Sequence, residues 1–156
     1  PNKKVPVLTW GPYKLWESNA IVTYLGESTH RLWPTDAEGK GRAAKWLFFE
    51  ARHLSEPIGE LWFNGYVARQ MGRTPDTLAA EAASKKCARY LAVLNDHLGK
   101  DAWMLGSDYS LVDCCYGPVL DALALAGDYI EAYPALKAYL GRIRERKAWR
   151  ACAFKE

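Results

Sequence analysis

The stretch V-P-V-L-T-W-G-P-Y-K-L-W-E-S-N-A-I, residues 5–21, decides how the rest of this chain is read. Two short runs rich in β-branched and aromatic residues, 5–10 and 13–16, flank Gly11-Pro12, which punctuates a tight turn. That pattern predicts a β-hairpin. Directly after it come Glu17, Ser18 and Asn19, followed by Ile21, Tyr24 and Leu25 at helical spacing. A short helix is therefore expected over 18–26, with Gly26 as its C-terminal cap. A lone two-stranded hairpin is barely stable in water, so a larger sheet or a packed helix is required.

Beyond the hairpin the pattern turns helical almost throughout. Leu32-Trp33-Pro34-Thr35-Asp36 reads as a connection, because Pro34 cannot continue a helix. A helix starting near Ala37 carries Trp46, Leu47, Phe49 and Leu54 on a core face, and Pro57 is expected to break or bend it. Thr74-Pro75-Asp76-Thr77 reads as a loop and helix start. Cys87, Tyr90, Leu91, Leu94 and Leu98 then form an apolar stripe that ends at Gly99. Residues 110–126 are apolar nearly all round, the mark of a central buried helix, and Pro118 predicts a kink in it. Pro134 opens what reads as the last regular helix, with Leu136, Tyr139, Leu140 and Ile143 on one face.

Composition narrows the function classes. The 156 residues carry a net charge of +3, with 49% hydrophobic and 25% charged side chains, as in an ordinary globular protein. The one basic cluster, Arg142, Arg144, Arg146 and Lys147, lies where cations complement a helix C-terminus, so no nucleic-acid partner is expected. No apolar run is long enough to span a bilayer, which leaves no membrane role. Three scattered histidines and four cysteines without C-x-x-C spacing leave no metal site. All four cysteines are expected as small buried thiols of a cytoplasmic, reducing compartment.

Two features carry chemistry. Val5-Pro6 marks a sheet edge in its plain reading; in the functional reading a cis peptide turns the Val5 backbone toward an extended peptide ligand. Composition alone favours trans, since only ~5–6% of X–Pro bonds are cis. Glu17-Ser18 has a plain reading too, with Ser18 as an ordinary N-cap. The alternative is a ligand site: a carboxylate on the Ser18 N–H and hydroxyl at the helix mouth, and an ammonium facing Glu17. That pairing suits an α-amino acid.

Asn2-Lys3-Lys4-Val5-Pro6-Val7-Leu8, the hairpin, Glu17-Ser18-Asn19-Ala20-Ile21, Leu32-Trp33-Pro34 and Tyr109-Ser110-Leu111-Val112-Asp113 together resemble the cytosolic glutathione transferases of bacterial type. The likeness extends over essentially the whole chain. It implies a mostly α fold: a partial thioredoxin-like α/β unit of one β-hairpin plus a helix (1–28), a linker (29–36) and an all-helical C-terminal bundle (37–156).

By the same resemblance, Val5, before a cis Pro6, pairs its backbone with the cysteinyl part of glutathione. Glu17 and Ser18 hold the γ-glutamyl ammonium and carboxylate, and Lys3 the glycyl carboxylate. Phe48, Arg52, Trp62 and Tyr66 line an electrophile cleft, although these aromatics also suit a core. Ser110 and Asp113 form a structural capping box rather than a catalytic pair.

The implied reaction is conjugation of the glutathione thiol to a small electrophile, or a related thiol-transfer or peroxidase step. Glutathione is then a co-substrate, no metal is involved, and the protein is a cytoplasmic homodimer. The family's activating tyrosine, serine or cysteine belongs to the first strand-to-helix connection. That strand-helix-strand unit has no counterpart among these residues, so no catalytic residue is named. Tyr13 and Ser28, nearby in sequence, are not assigned the role. Turnover by these 156 residues alone does not follow from the resemblance. The alternative is a non-catalytic binding or scaffold module of the same fold. A free-standing helical domain with an ornamental hairpin fits less well, because Val7, Leu8 and Trp10 would be left exposed.

Overall fold

Gly11-Pro12 closes the expected hairpin: β1 (Val7–Trp10) pairs antiparallel with β2 (Tyr13–Trp16), Val7 opposite Trp16 and Trp10 opposite Tyr13. Val5 and Pro6 precede the strand rather than belonging to it. The computed structural model describes residues 3–152; Pro1, Asn2 and residues 153–156, the outer ends of the two expected ranges, lie outside the described residues.

Helix α1 (Ser18–Thr29) packs on the hairpin and against the first turns of a later helix. It does not end at Gly26. His30 closes it in the left-handed conformation, φ 54°, donating its N–H to Gly26 O at 2.9 Å. Gly26 is needed for a different reason. The Trp33 ring packs so close that a Cβ at position 26 would stand 2.6 Å from it. The glycine thus marks a contact with the connecting segment, not a stop.

Of the expected break or bend at Pro57, a break does not occur. The chain stays helical from Ala37 to Gln70 through α2 (Ala37–Phe49), a π-helical turn (Glu50–Leu54), α3 (Ser55–Trp62), a second π turn (Phe63–Val67) and α4 (Ala68–Gln70). Pro57 occupies the first turn of α3 and is buried. The helix continues past the missing proline N–H because the hydrogen-bond ladder is already shifted in the π turn just ahead of it.

Asp36 and Asp76 start α2 and α5 (Thr77–Leu98), accepting hydrogen bonds from Gly39 N (2.8 Å) and Ala79 N (2.9 Å). Gly99 ends α5 as expected. Helix α6 (Leu111–Ala126) continues through Pro118, which lies on its exposed side. Helix α7 (Pro134–Glu145) buries Leu136, Tyr139, Leu140 and Ile143 but is not the last: α8 (Lys147–Cys152) follows an extended Arg146. Cys152 on α8 is exposed and Cys114 and Cys115 are half-buried, so only Cys87 meets the expectation of a buried thiol.

The core gathers around α6, whose Val112, Tyr116, Leu120 and Leu123 are fully buried. Leu54, Ile58 and Leu61 pack on it from one side and Leu136, Tyr139 and Ile143 from another. A helix apolar all round belongs in such a place. The expected class is the observed one: mostly α, a hairpin and helix followed by a helical bundle.

Candidate functional site

Between the hairpin unit and the long helix lies a cleft of about 1030 Å³. Tyr13 and Leu15 of β2 form one wall with Ser18, Asn19, Thr23 and Tyr24 of α1; Leu47, Phe48, Glu50 and Ser55 form the other. A smaller hollow of about 70 Å³ adjoins the helix mouth, lined by Lys4, Val5, Pro6, Trp16, Glu17 and Ser18.

The mouth of α1 is built unusually. Glu17, not Ser18, is the N-cap residue; it lies at φ 71°, ψ 114°, and its side chain makes no capping hydrogen bond. The plain reading of Ser18 as a side-chain cap is therefore wrong: Ser18 is the first helical residue. A positive φ is costly for a residue with a Cβ and is found preferentially at functional sites. The first N–H groups of a helix, left uncapped, favour an anion. Val5 is 92% exposed, and its peptide bond to Pro6 is cis.

The structure thus brings Val5, Pro6, Glu17 and Ser18 around one hollow. It does not bring Lys3 there: Lys3 is exposed at φ 51°, and its neighbour Lys4 lines both cavities instead. Of the four cleft residues expected on the long helix, only Phe48 lines it. Trp62 and Tyr66, 38% and 37% exposed, lie farther along the helix, neither in this cleft nor in the core. Arg52 is exposed on the π turn. The cleft-facing residues Ala44, Leu47, Phe48, Ala51 and Ser55 follow one face of the helix at i, i+3/i+4 spacing, and Arg52 falls beside that face.

Asn19, Glu50 and Ser55 were missed by pattern reading. Asn19 Nδ2 donates to Leu47 O and to Glu50 Oε2, both at 2.9 Å, and Ser55 Oγ donates to Glu50 Oε1. Glu50 is only 4% exposed. The available signal was a lone acid inside the apolar run Trp46-Leu47-Phe48-Phe49-Glu50-Ala51.

Away from the cleft, Asp113 is fully buried and accepts four hydrogen bonds: from Ser110 N (2.8 Å) and Ser110 Oγ (2.7 Å) on Oδ2, and from Met104 N (2.9 Å) and Tyr139 OH (2.7 Å) on Oδ1. Burial, then Asp113, holds the Tyr139 phenol well above its usual value. Burial pushes the Cys115 thiol up to about 12. The three arginines of the basic cluster are engaged with the protein. Arg144 pairs with Asp121, Arg142 donates to Ala102 O, and Arg146 stacks 3.4 Å from the Tyr109 ring. Among the described residues, no three His, Cys, Asp or Glu side chains are grouped to hold a metal ion. No described helix is long and apolar enough to cross a membrane.

Comparison with known proteins adds the following. Residues 1–27 match the glutathione S-transferase N-terminal domain and residues 77–142 its C-terminal domain. The chain is 31% identical over 160 residues to glutathione S-transferase GstB of Escherichia coli strain K12, covering 96% of this chain and 73% of that protein. It is 29% identical over 157 residues to the disulfide-bond oxidoreductase YfcG of the same organism, covering 95% and 70%. Among solved structures, glutathione S-transferase III in its apo form superposes with a TM-score of 0.85 at 25% identity, covering 95% of this chain and 71% of that one.

Proposed function

Since this chain belongs to the glutathione transferase family, we propose that it binds glutathione at the mouth of α1 and serves its transfer to a small electrophile. In the reaction the glutathione sulfur, as thiolate, attacks an electrophilic carbon; the new C–S bond forms as a leaving group departs, or as the electron pair moves onto the acceptor. The thiol proton goes to solvent or to a base. We assign that base, and the group that stabilises the thiolate, to no residue of this chain.

The observation that carries the reading is the shared hollow. Around it stand an exposed backbone next to a cis proline, a carboxylate at Glu17 and an uncapped helix start at Ser18. The Val5 backbone pairs with the cysteinyl portion, Glu17 faces the γ-glutamyl ammonium, and Ser18 takes its carboxylate. Lys4 suits the glycyl carboxylate better than Lys3, because it lines the hollow. Residues 1–28 then act as the glutathione unit and 37–156 as the helical domain, with the electrophile entering beside Phe48. A homodimer in a reducing cytoplasm belongs to the same reading, consistent with the free cysteines.

The test is calorimetric titration with glutathione, followed by turnover of an aryl halide. Saturable binding that falls about tenfold in Ser18→Ala and in Glu17→Gln supports the site, a size ordinary for loss of a hydrogen bond to a charged group. No saturable binding overturns it. Binding without turnover favours the non-catalytic module. Similarity to YfcG gives thiol–disulfide exchange a specific footing, so reduction of a glutathione mixed disulfide belongs in the same assay. Sedimentation equilibrium decides the dimer.

A further inference from the structure

Glu50 is a carboxylate with 4% exposure in the middle of an apolar helix face, which is a costly place for one. It lies where the long helix widens into its first π turn, a distortion that itself costs regular hydrogen bonding and recurs at functional positions. Its two carboxylate oxygens face different elements. Oε1 accepts from Ser55 Oγ within the long helix, while Oε2 accepts from Asn19 Nδ2 across the cleft. The second amide hydrogen of Asn19 goes to Leu47 O at 2.9 Å, so both of its donors grip the long helix. The remaining oxygen, Asn19 Oδ1, is buried and has no hydrogen-bond partner. An orphaned buried acceptor is expensive, and it persists only where the rest of the group is held by stronger interactions.

Asn19 immediately follows Ser18 in the first turn of α1. Fixing its amide therefore fixes the azimuth of that turn relative to the bundle.

We infer that Glu50 is a positioning residue for the glutathione site, acting through Asn19 to hold the first turn of α1 with the Ser18 N–H aimed into the hollow. This rests on the reading of that hollow as a glutathione site. Glu50 touches no ligand in this role. It supplies a fixed acceptor on the bundle, and Asn19 transmits the fixed point to the helix mouth.

The experiment is a double-mutant cycle read by calorimetric glutathione affinity: wild type, Glu50→Gln, Asn19→Ala and the double variant, with a thermal melt of each. Gln keeps the volume of Glu50 but loses the charge and has one oxygen where Glu50 offers two, to Asn19 Nδ2 and Ser55 Oγ; Ala removes the bridge from its other end. The two single variants are expected to weaken glutathione about tenfold each, and the double variant no more than either alone, because both cut one linkage. Affinity equal to wild type in both folded singles overturns the inference and leaves the site standing. Losses that simply multiply in the double variant overturn it as well, since the residues then act independently. Absence of glutathione binding by the wild type overturns the site reading and this inference with it. Should Glu50→Gln fail to fold, Glu50→Asp replaces it: its shortened reach should weaken binding in the wild-type background and change nothing when Asn19 is already Ala. Any further loss there overturns the inference.

Discussion

At the residue scale, Asp113 concentrates more hydrogen bonding than any other described side chain. Its capping box with Ser110 was legible from the spacing S-x-x-D ahead of an apolar run. The bonds from Met104 N and Tyr139 OH were not, because those donors arrive from elements 9 and 26 residues away in sequence. That difference sets a magnitude. A capping box on an exposed helix is worth about 1 kcal/mol; Asp113→Ala strands four buried donors and should cost at least about 3 kcal/mol in urea unfolding. A loss near 1 kcal/mol would mean that the core donors find other acceptors. The thiols give a second check at this scale. Burial raises Cys87, and raises Cys115 to about 12, so neither holds an appreciable thiolate at pH 8, whereas Cys152 is exposed. Mass spectrometry of the native protein under brief alkylation should find Cys152 modified first, with Cys87 and Cys115 reacting only after denaturation.

At the element scale, helices that announce themselves by caps and period were readable. Asp76 and Gly99 bracket α5, and Ser110 opens α6, just where their chemistry predicts. The long helix was readable in its start but not in its course. Nothing in the local sequence distinguishes a π turn from an α turn, since the extra residue is absorbed by packing against neighbours rather than by propensity. Pro57 does not stop the helix, and Arg52, Trp62 and Tyr66 do not line the cleft beside Phe48.

The second π turn makes a sharper prediction. Gly65 lies in it, and a Cβ there would fall onto the Ala126 carbonyl, which belongs to the backbone of α6 and cannot swing aside. Gly65→Ala should therefore destabilise by about 2 kcal/mol or more through overpacking. Gly41, at an exposed position of α2, meets nothing within 4 Å of such a Cβ. Gly41→Ala should stabilise by about 0.5–1 kcal/mol through helix propensity. Opposite signs for the same substitution in two helices can be read from a pair of thermal melts; equal signs would show that α6 is free to retreat from position 65.

At the scale of the whole molecule, the question is what joins the hairpin unit to the bundle, since β1, β2 and α1 leave Val7 and Trp10 51% and 74% exposed. Three polar ties do it in addition to α1–α6 packing. Asn19 reaches Leu47 and Glu50, Leu111 N donates to Leu32 O at 2.8 Å, and Glu27 takes Trp33 Nε1 at 3.0 Å and Lys40 Nζ at 2.8 Å. Only the motifs around these ties were legible beforehand, because each tie, the Glu27–Trp33 bond apart, pairs a residue of α1 or its connection with one on another helix. The Glu27 tie should also depend on pH. The hydrogen bond from Lys40, then that from Trp33, holds the Glu27 carboxyl below its usual value. The folded state therefore binds that proton more weakly than the unfolded one. The stabilisation is complete above the unfolded value near ~4.3 and is lost as pH falls through the lower folded value. Both partners are partly exposed, 42% for Glu27 and 39% for Lys40, so salt screens the effect. Urea unfolding of wild type and Glu27→Gln at pH 6 and pH 3 isolates the contribution. The wild type should be the more stable at pH 6, with the gap narrowing in high salt and shrinking as pH falls toward 3, as the glutamate takes up the proton that makes it an uncharged isostere of the glutamine. A gap of the same size at both pH values would mean that the tie works by shape through Trp33 alone, and that the connection between hairpin unit and bundle is held without charge.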